Sequence, residues 1–400
     1  MRIGYFASVP YRHASPIGGY AHIKQFLTHS AEAGHKLLLV HGGSHPHPNI
    51  LPAPRGRIGR FLALRQCDIL YYRVEYRAPR DVKWMMPPRR SMLGNPPVVW
   101  EFNSVPDYAR IVGEDQAAVQ GHIDDLRRLG AGCDLAVCVS QAINDYVHDK
   151  LHIANVMTVP NGSDPDLFRP DCEPVRRIVR KQGRLNVVWM GSAEVKWHNF
   201  DLLREAAWLL WGDGNAVADF HILGAGLQDI RAFPPNVHYH GSEQYEKLPN
   251  WLAAMDVGLN VYHAGAADYS CPLKLFDYMA SGLALVSTDQ PQVREIFGKL
   301  GQLDLLVTTN DPAALAGALR SLAADPHRVK QQGLAGRKLV VDFYNWRRAA
   351  TDTLAAMQSL LDRRREPRAA RTTKNSERAT RNPKEEGNHE WTRMHTNEDK

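Results

Sequence analysis

Short apolar runs alternate with longer stretches of helical periodicity along most of the chain. In the first 160 residues the runs are RIGYFA, KLLLV, CDILYY, PPVVWEF, CDLAVCV and NVMTVP. Short runs rich in Val, Ile, Leu and Tyr, spaced by helix-like segments, predict strands buried on both faces of a parallel sheet. A second series, LNVVWM, VADFHILG, NVHYH, DVGLNVY, LALVST and LDLLVT, repeats the rhythm, with helices expected over 199–211, 243–255 and 272–281. The pattern predicts two doubly wound α/β units joined near 160–184. There the sequence NGSDPDLFRPDCEP replaces apolar runs with Pro, Asn-Gly and acids, the chemistry of turns and of a hinge.

The strands stop after Leu306, and helices are expected over 312–323, 326–343 and 346–361. In the last of these, Trp346, Ala349, Ala350, Leu354, Met357, Leu360 and Leu361 recur at helical spacing, so it has a face to bury and is expected to cross back onto the first unit. From Arg363 onward aliphatic residues almost vanish, and such a segment cannot offset its ordering entropy. The domain reading is therefore 1–165 together with the returning helix 345–361, then 180–343, then a disordered charged tail over 362–400.

Composition acts mainly by exclusion. A chain of 400 residues with 44% hydrophobic content exceeds one ordinary core. With 25 Pro and 30 Gly it is neither collagen-like nor wholly disordered. No long apolar run occurs, and MRIGYFASVP lacks a charged segment followed by a long apolar one, so a cytoplasmic protein is expected. The 5 cysteines are scattered, without a C-x-x-C pair, which fits reduced thiols and argues against structural zinc. Half of the net charge of +6 comes from residues 362–400, so the body is nearly balanced and nucleic acid is not an expected partner.

Three junctions carry candidate chemistry. Gly18 and Gly19 stand where the first strand gives way to a helix; glycines there let backbone N–H groups approach a phosphate or sugar, and the helix dipole favours an anion. The second unit opens with LNVVWM and then Gly191–Ser192–Ala193–Glu194–Val195–Lys196–Trp197–His198–Asn199. A lysine on the loop after a first Rossmann strand, here Lys196, can neutralise a diphosphate leaving group. The third stretch runs from Ser270 through Cys271, Pro272, Leu273, Lys274 and Asp277 to Gly282, with helix start and stop signals at Pro272 and Gly282. Ser270, Leu273 and the free N–H groups of that helix can hold a phosphate, and spacing puts Lys274 and Asp277 on one face. A carboxylate there can accept two ribose hydroxyls while the lysine meets phosphate charge.

These segments together resemble family 4 of the retaining GT-B glycosyltransferases, from Met1 to about Leu361. The resemblance rests on Gly18–Gly19, on Pro160–Asn161–Gly162–Ser163–Asp164 leading to Phe168, on Gly191 to Asn199, and on Asp277–Tyr278–Met279–Ala280–Ser281–Gly282. It implies the GT-B fold, a nucleotide-sugar donor bound mainly by the second domain, retention of configuration, and no metal or other cofactor. It also implies that Asp277 takes the place of the second glutamate of the family's E-x7-E signature, on the donor ribose. The first glutamate falls at Tyr269, with Asp268 beside it, and the usual arginine after the first glycine of the second domain is Ser192. Lys196 and Lys274 then supply the phosphate cations. Glu101 and Asn103, in Trp100–Glu101–Phe102–Asn103, resemble a subgroup whose residues here touch acceptor or donor sugar.

The acceptor expected on this basis is a glycan, a lipid-linked molecule or a small molecule, with peripheral contact to the inner membrane surface through the basic, Trp- and Met-bearing stretch 77–90. A non-catalytic nucleotide-sugar-binding subunit and a sugar-nucleotide epimerase on the same fold are the alternatives. His41, His45 and His47 have no nearby carboxylate in sequence, and His238 and His240 have no third ligand, so neither group reads as a metal site.

Overall fold

The computed structural model describes residues 1–11, 18–42, 45–77, 95–212, 216–227, 229–265 and 268–365. The charged tail expected over 362–400 lies almost wholly outside the described residues, as do most of stretch 77–90 and part of the loop after Gly42.

The first half of the chain forms strands β1 (Arg2–Tyr11), β2 (Lys36–Gly42), β3 (Ile50–Pro52), β4 (Ile69–Val74), β5 (Val98–Phe102), β6 (Leu135–Cys138) and β7 (Val156–Thr158). They make one sheet in the order β3-β2-β1-β4-β5-β6-β7, parallel throughout. The second half gives β8 (Leu185–Met190), β9 (Ala218–Leu223), β10 (Val237–Gly241), β11 (Val257–Asn260), β12 (Ala284–Thr288) and β13 (Leu306–Val307). These pair, again all parallel, as β10-β9-β8-β11-β12-β13. In each sheet the order reverses beside the first strand, so a crevice opens at the carboxyl ends of β1 and β4 and of β8 and β11. The continuous apolar runs are explained by burial on both faces: every residue of β4, β5, β6, β8, β9, β11 and β12 is buried.

Three elements differ from the sequence reading. Strand β3 was not expected, because only Ile50 of its three residues is buried and no apolar run marks it. The helix expected over 243–255 is a 3-10 turn, Tyr245–Lys247, followed by the short helix Leu248–Leu252. Pro249 explains this: its ring would collide with the carbonyl of Tyr245 inside a continuous helix, so it opens a helix instead. Likewise Leu303–Leu305 form a 3-10 turn and only Leu306–Val307 pair with β12.

Residues 159–184 contain no helix and no ladder strand. This linker is tied to the segment that precedes the last helix, Trp346–Arg365. Ser163 N–H donates to the Tyr344 carbonyl at 3.0 Å, and Trp346 N–H donates to the Ser163 carbonyl at 3.1 Å. The opening turns of that helix reach the first sheet: Trp346, Ala349, Ala350 and Thr353 close a small cavity with His22, Phe26, Tyr71 and Glu101, and the His22 and Trp346 rings lie 5.1 Å apart. The crossing-back therefore exists, and it begins at Trp346.

Candidate active site

A cleft of about 570 Å³ lies where the carboxyl ends of both sheets meet. From the first half, β4 and β5 and the loops beyond them contribute Arg73, Glu75, Tyr76, Asn103, Asp107 and Tyr108; from the second come Trp197, Tyr262, Tyr269, Ser270, Pro272 and Leu273. Its walls are aromatic and run across both halves. The rings of Tyr76 and Tyr108 are 5.1 Å apart, those of Tyr108 and Trp197 5.0 Å, and Tyr269 meets Tyr146 edge-on at 5.3 Å.

Behind the rim sits Lys274, on the first turn of the helix Leu273–Ala280. Its ammonium is 4.3 Å from the Trp189 ring and 5.3 Å from the Tyr262 ring, and 3.2 Å from His198 Nε2. His198 is oriented by its other nitrogen, which is 2.7 Å from the Ser192 carbonyl. A carbonyl can only accept, so Nδ1 carries the proton and Nε2 offers its lone pair to the lysine. Burial, and then the charge of Lys274, hold the His198 pKa far below its ordinary value, so the imidazole stays neutral. Burial also lowers the Lys274 pKa to about 7. Two rings and a lone pair favour the ammonium but do not replace its lost hydration. The result is a cation that an incoming anion would strengthen.

Asp277 points elsewhere. It is 6% exposed, and its carboxylate accepts from Ser163 Oγ at 2.6 Å and from the Tyr245 hydroxyl. Burial raises its pKa to about 7, against the opposing pull of those two hydroxyls. The i,i+3 spacing thus places Lys274 and Asp277 on one helix without bringing their charges together. Because the folded state keeps the Asp277 proton longer than the unfolded chain does, stability falls as pH rises from about 4 to about 7 and is level beyond. Asp277→Asn is expected to flatten that slope and to melt higher than the parent at pH 8. Thermal melts at pH 5 and 8 check this; an unchanged slope would assign the dependence to another group.

Glu101 is 2% exposed and sits in a network. Its carboxylate accepts from the Tyr71 hydroxyl, from Arg73 at 3.1 Å and from the Asn103 amide, with His22 Nδ1 at 3.4 Å. Despite burial, the neighbouring His22 and Arg73 and the hydrogen bonds from Tyr71 and Asn103 keep its pKa below the usual value. His22, driven down to about 4 mainly by burial, is neutral. Glu101 therefore holds Arg73 and Asn103, and these two line the cleft.

The other expected residues are dispersed around this centre. Lys196 is exposed on the loop after β8, next to Trp197 in the cleft wall. Gly191 follows β8 directly, with its N–H donating to the Leu223 carbonyl at 3.0 Å. Gly18 and Gly19 begin the helix Gly18–Glu32. Asp268 is partly buried beside Tyr269. Tyr262 and Arg73 were not singled out in the sequence, and Ser163 and His198 stood there only within the motifs Pro160–Asp164 and Gly191–Asn199, with no role of their own. His221 joins His238 and His240: its ring is stacked on both at 5.2 and 5.3 Å, and its Nδ1 lies 3.0 Å from His240 Nε2, so these two nitrogens are engaged with each other.

Residues 184–325 match the model of a family described as Glycosyl transferases group 1. The chain is 28% identical over 175 residues to the putative teichuronic acid biosynthesis glycosyltransferase TuaH of Bacillus subtilis (strain 168), a match covering 41% of this chain and 42% of the relative. The chain thus spans less than half the length of that curated relative. Sucrose-phosphate synthase (tll1590) from Thermosynechococcus elongatus superposes with a TM-score of 0.68 at 16% identity, over 90% of this chain and 99% of the other. Anabaena Alr3699/HepE in complex with UDP and glucose does so with a TM-score of 0.64 at 13% identity, over 90% and 100%. The two parallel sheets are those that the two series of strands predict, and the fold is GT-B, as the resemblance implies.

Proposed function

We propose that the protein is a glycosyltransferase that moves a sugar from a nucleoside-diphosphate donor to an acceptor hydroxyl, with retention of configuration, in the manner of GT-B family 4. The observation that carries this reading is Lys274. Its partly desolvated ammonium stands at the amino end of a helix, behind an aromatic cleft at the carboxyl edges of two parallel sheets. Cleaving the anomeric C–O bond leaves its electron pair on the diphosphate, so the chief need is for positive charge there. Lys274, the N–H groups of Leu273 and Lys274, and the loop lysine Lys196 supply it from the protein, with no metal in the scheme. The acceptor hydroxyl attacks the anomeric carbon on the face the diphosphate leaves, and its proton passes to the departing phosphate oxygen. The UDP named with the Anabaena structure makes UDP-sugars the first donors to try.

Incubation with UDP-, GDP- and ADP-sugars, with and without glycan acceptors, tests the reading. Slow hydrolysis of one donor and its thermal stabilisation of the fold are expected; no binding and no turnover with any of them would contradict it. Affinity for the matching nucleoside diphosphate should fall as pH rises above about 7, by up to about tenfold per unit, because the ammonium must be present to meet the phosphates. A second reading, a subunit that binds nucleotide-sugars without turnover, is favoured by Tyr269, a phenol packed on Tyr146 where the family pattern has a carboxylate. Donor binding without hydrolysis or transfer to any acceptor would select it.

A further inference from the structure

The chain builds a fixed seat for His198, which is buried. Its loop is pinned to the segment after β11: His198 forms an antiparallel bridge with Tyr262, His263 N–H donates to the Trp197 carbonyl at 2.9 Å, and Asn199 N–H donates to the Val261 carbonyl at 3.2 Å. Gly191 makes room for the ring, since a Cβ there would lie 3.1 Å from His198 Cε1 and 2.8 Å from the Trp189 ring. Trp189 meets the imidazole edge-on at 4.9 Å, and the Tyr262 ring lies 5.3 Å from it. Backbone pairing, a glycine and two aromatic rings thus fix one side chain between the Ser192 carbonyl and the Lys274 ammonium.

We propose that His198 is a positioning residue of this site: its Nε2 holds the Lys274 ammonium at the start of the helix Leu273–Ala280, aimed and charged as a diphosphate requires. The tautomer makes this possible. With the Nδ1 proton committed to the Ser192 carbonyl, Nε2 presents a lone pair to the ammonium at 3.2 Å. The Trp189 and Tyr262 rings attract the same ammonium through broad π faces, whereas a lone pair has a direction. The other titratable groups around the lysine do not compete. Burial pushes the Tyr262 and Tyr278 hydroxyls above their ordinary range and the Cys271 thiol up to about 12, so all three are neutral. The Tyr278 hydroxyl accepts from Met190 N–H at 2.7 Å, and Asp277 is turned to Ser163 and Tyr245. Glu194 and Lys196, on the loop that carries His198, and His263 beside Tyr262 are exposed to water.

Removing the lone pair therefore leaves an ammonium that is less well aimed and easier to deprotonate. The hold of His198 on Lys274 stands on this geometry alone; its use, a charge that meets a donor's diphosphate, rests on the transferase reading.

Two variants and the parent test the proposal. His198→Phe keeps a ring beside Trp189 and Tyr262 and removes the lone pair, while His198→Gln restores an acceptor oxygen. In the full chain labelled with 13Cε-lysine, the titration of Lys274, identified by its loss in Lys274→Met, should move down by about one pH unit in His198→Phe and return most of the way in His198→Gln. With the donor that passes the panel, kcat/KM reports the ionisations of the free enzyme. It should fall by about ten- to a hundredfold in His198→Phe at pH 6, and the loss at pH 8 should be roughly fivefold greater again, with partial recovery in His198→Gln. A histidine that only packs would lower both pH values alike. In the parent, 15N shifts of the His198 ring should show Nδ1 protonated and Nε2 bare from pH 5.5 to 9, a result that needs no variant to fold. The opposite tautomer would overturn the proposal. So would an unchanged or raised Lys274 titration in His198→Phe, a loss independent of pH, or a gain of activity, which would make His198 a dock that withholds the lysine. The expected Lys274 shift in a protein that binds and turns over no donor would sink the transferase reading and leave the hold on Lys274 intact.

Discussion

Lys274→Ala should lower kcat/KM for sugar transfer by about a hundred- to a thousandfold, the usual cost of removing one preorganised group that meets transition-state charge. The loss should fall mainly on kcat, because charge on the diphosphate grows as the anomeric bond breaks. Lys274→Met, which keeps the stem against Trp189 and Tyr262, should lose as much activity with a smaller change in melting temperature, separating the charge from the packing. Lys196→Ala should cost less, since that side chain is exposed and has water as a competitor. Steady-state assays on the donor that passes the panel decide the matter. Full activity in both Lys274 variants would remove the lysine from the mechanism.

The second large effect belongs to Gly224, at the carboxyl end of β9. A Cβ built there lies 1.5 Å from the Gly191 carbonyl oxygen, and its φ is +151°. The two loops cross backbone against backbone at the carboxyl edge of the second sheet, where Gly224 N–H donates to the Gly241 carbonyl at 2.8 Å and Gly191 N–H to the Leu223 carbonyl at 3.0 Å. No rotamer relieves a clash with backbone, so the loop after β8 must move and carry Ser192, the hydrogen-bond partner of His198, with it. Gly224→Ala is expected to destabilise by about 3 kcal/mol or more, counting overpacking and backbone strain together. The comparison is Gly317→Ala in the helix Pro312–Ala324, where a Cβ meets nothing within 4 Å and a gain of about 0.4–1 kcal/mol is expected. Denaturant titration of both variants checks the pair; equal midpoints would contradict the account of this crossing.

The strands were legible because parallel sheets covered on both faces leave unbroken apolar runs, which chance rarely repeats twice in one chain. Strand β3 was illegible for the same reason: it is an edge strand with one buried side chain, and pairing alone leaves no mark on composition. The proline-broken helix near 249 shows the opposite case, a breaker in plain view that amphipathic spacing had outweighed. At the site, Lys274 could be named from its helix start, but its surroundings could not. Trp189, His198 and Tyr262 come from three different segments, and their meeting depends on β8 and β11 lying side by side. Asp277 and Glu101 make the point more sharply: each was recognisable as a carboxylate near a strand or helix end. Their partners Ser163 and Tyr245, and Tyr71 and Arg73, lie 28 to 114 residues away or in unrelated motifs.

If Lys274 is the group that meets the donor's diphosphate, binding must restore the proton that burial has made easy to lose. Titration calorimetry at pH 8 with the nucleoside diphosphate that most stabilises the fold, in buffers of different ionisation enthalpy, measures that proton directly. The account predicts uptake close to one proton per molecule bound, since a group of pKa about 7 is mostly neutral at pH 8. It predicts little uptake at pH 6, and at pH 8 none in Lys274→Met. Binding without proton uptake, or uptake that persists in Lys274→Met, would contradict it.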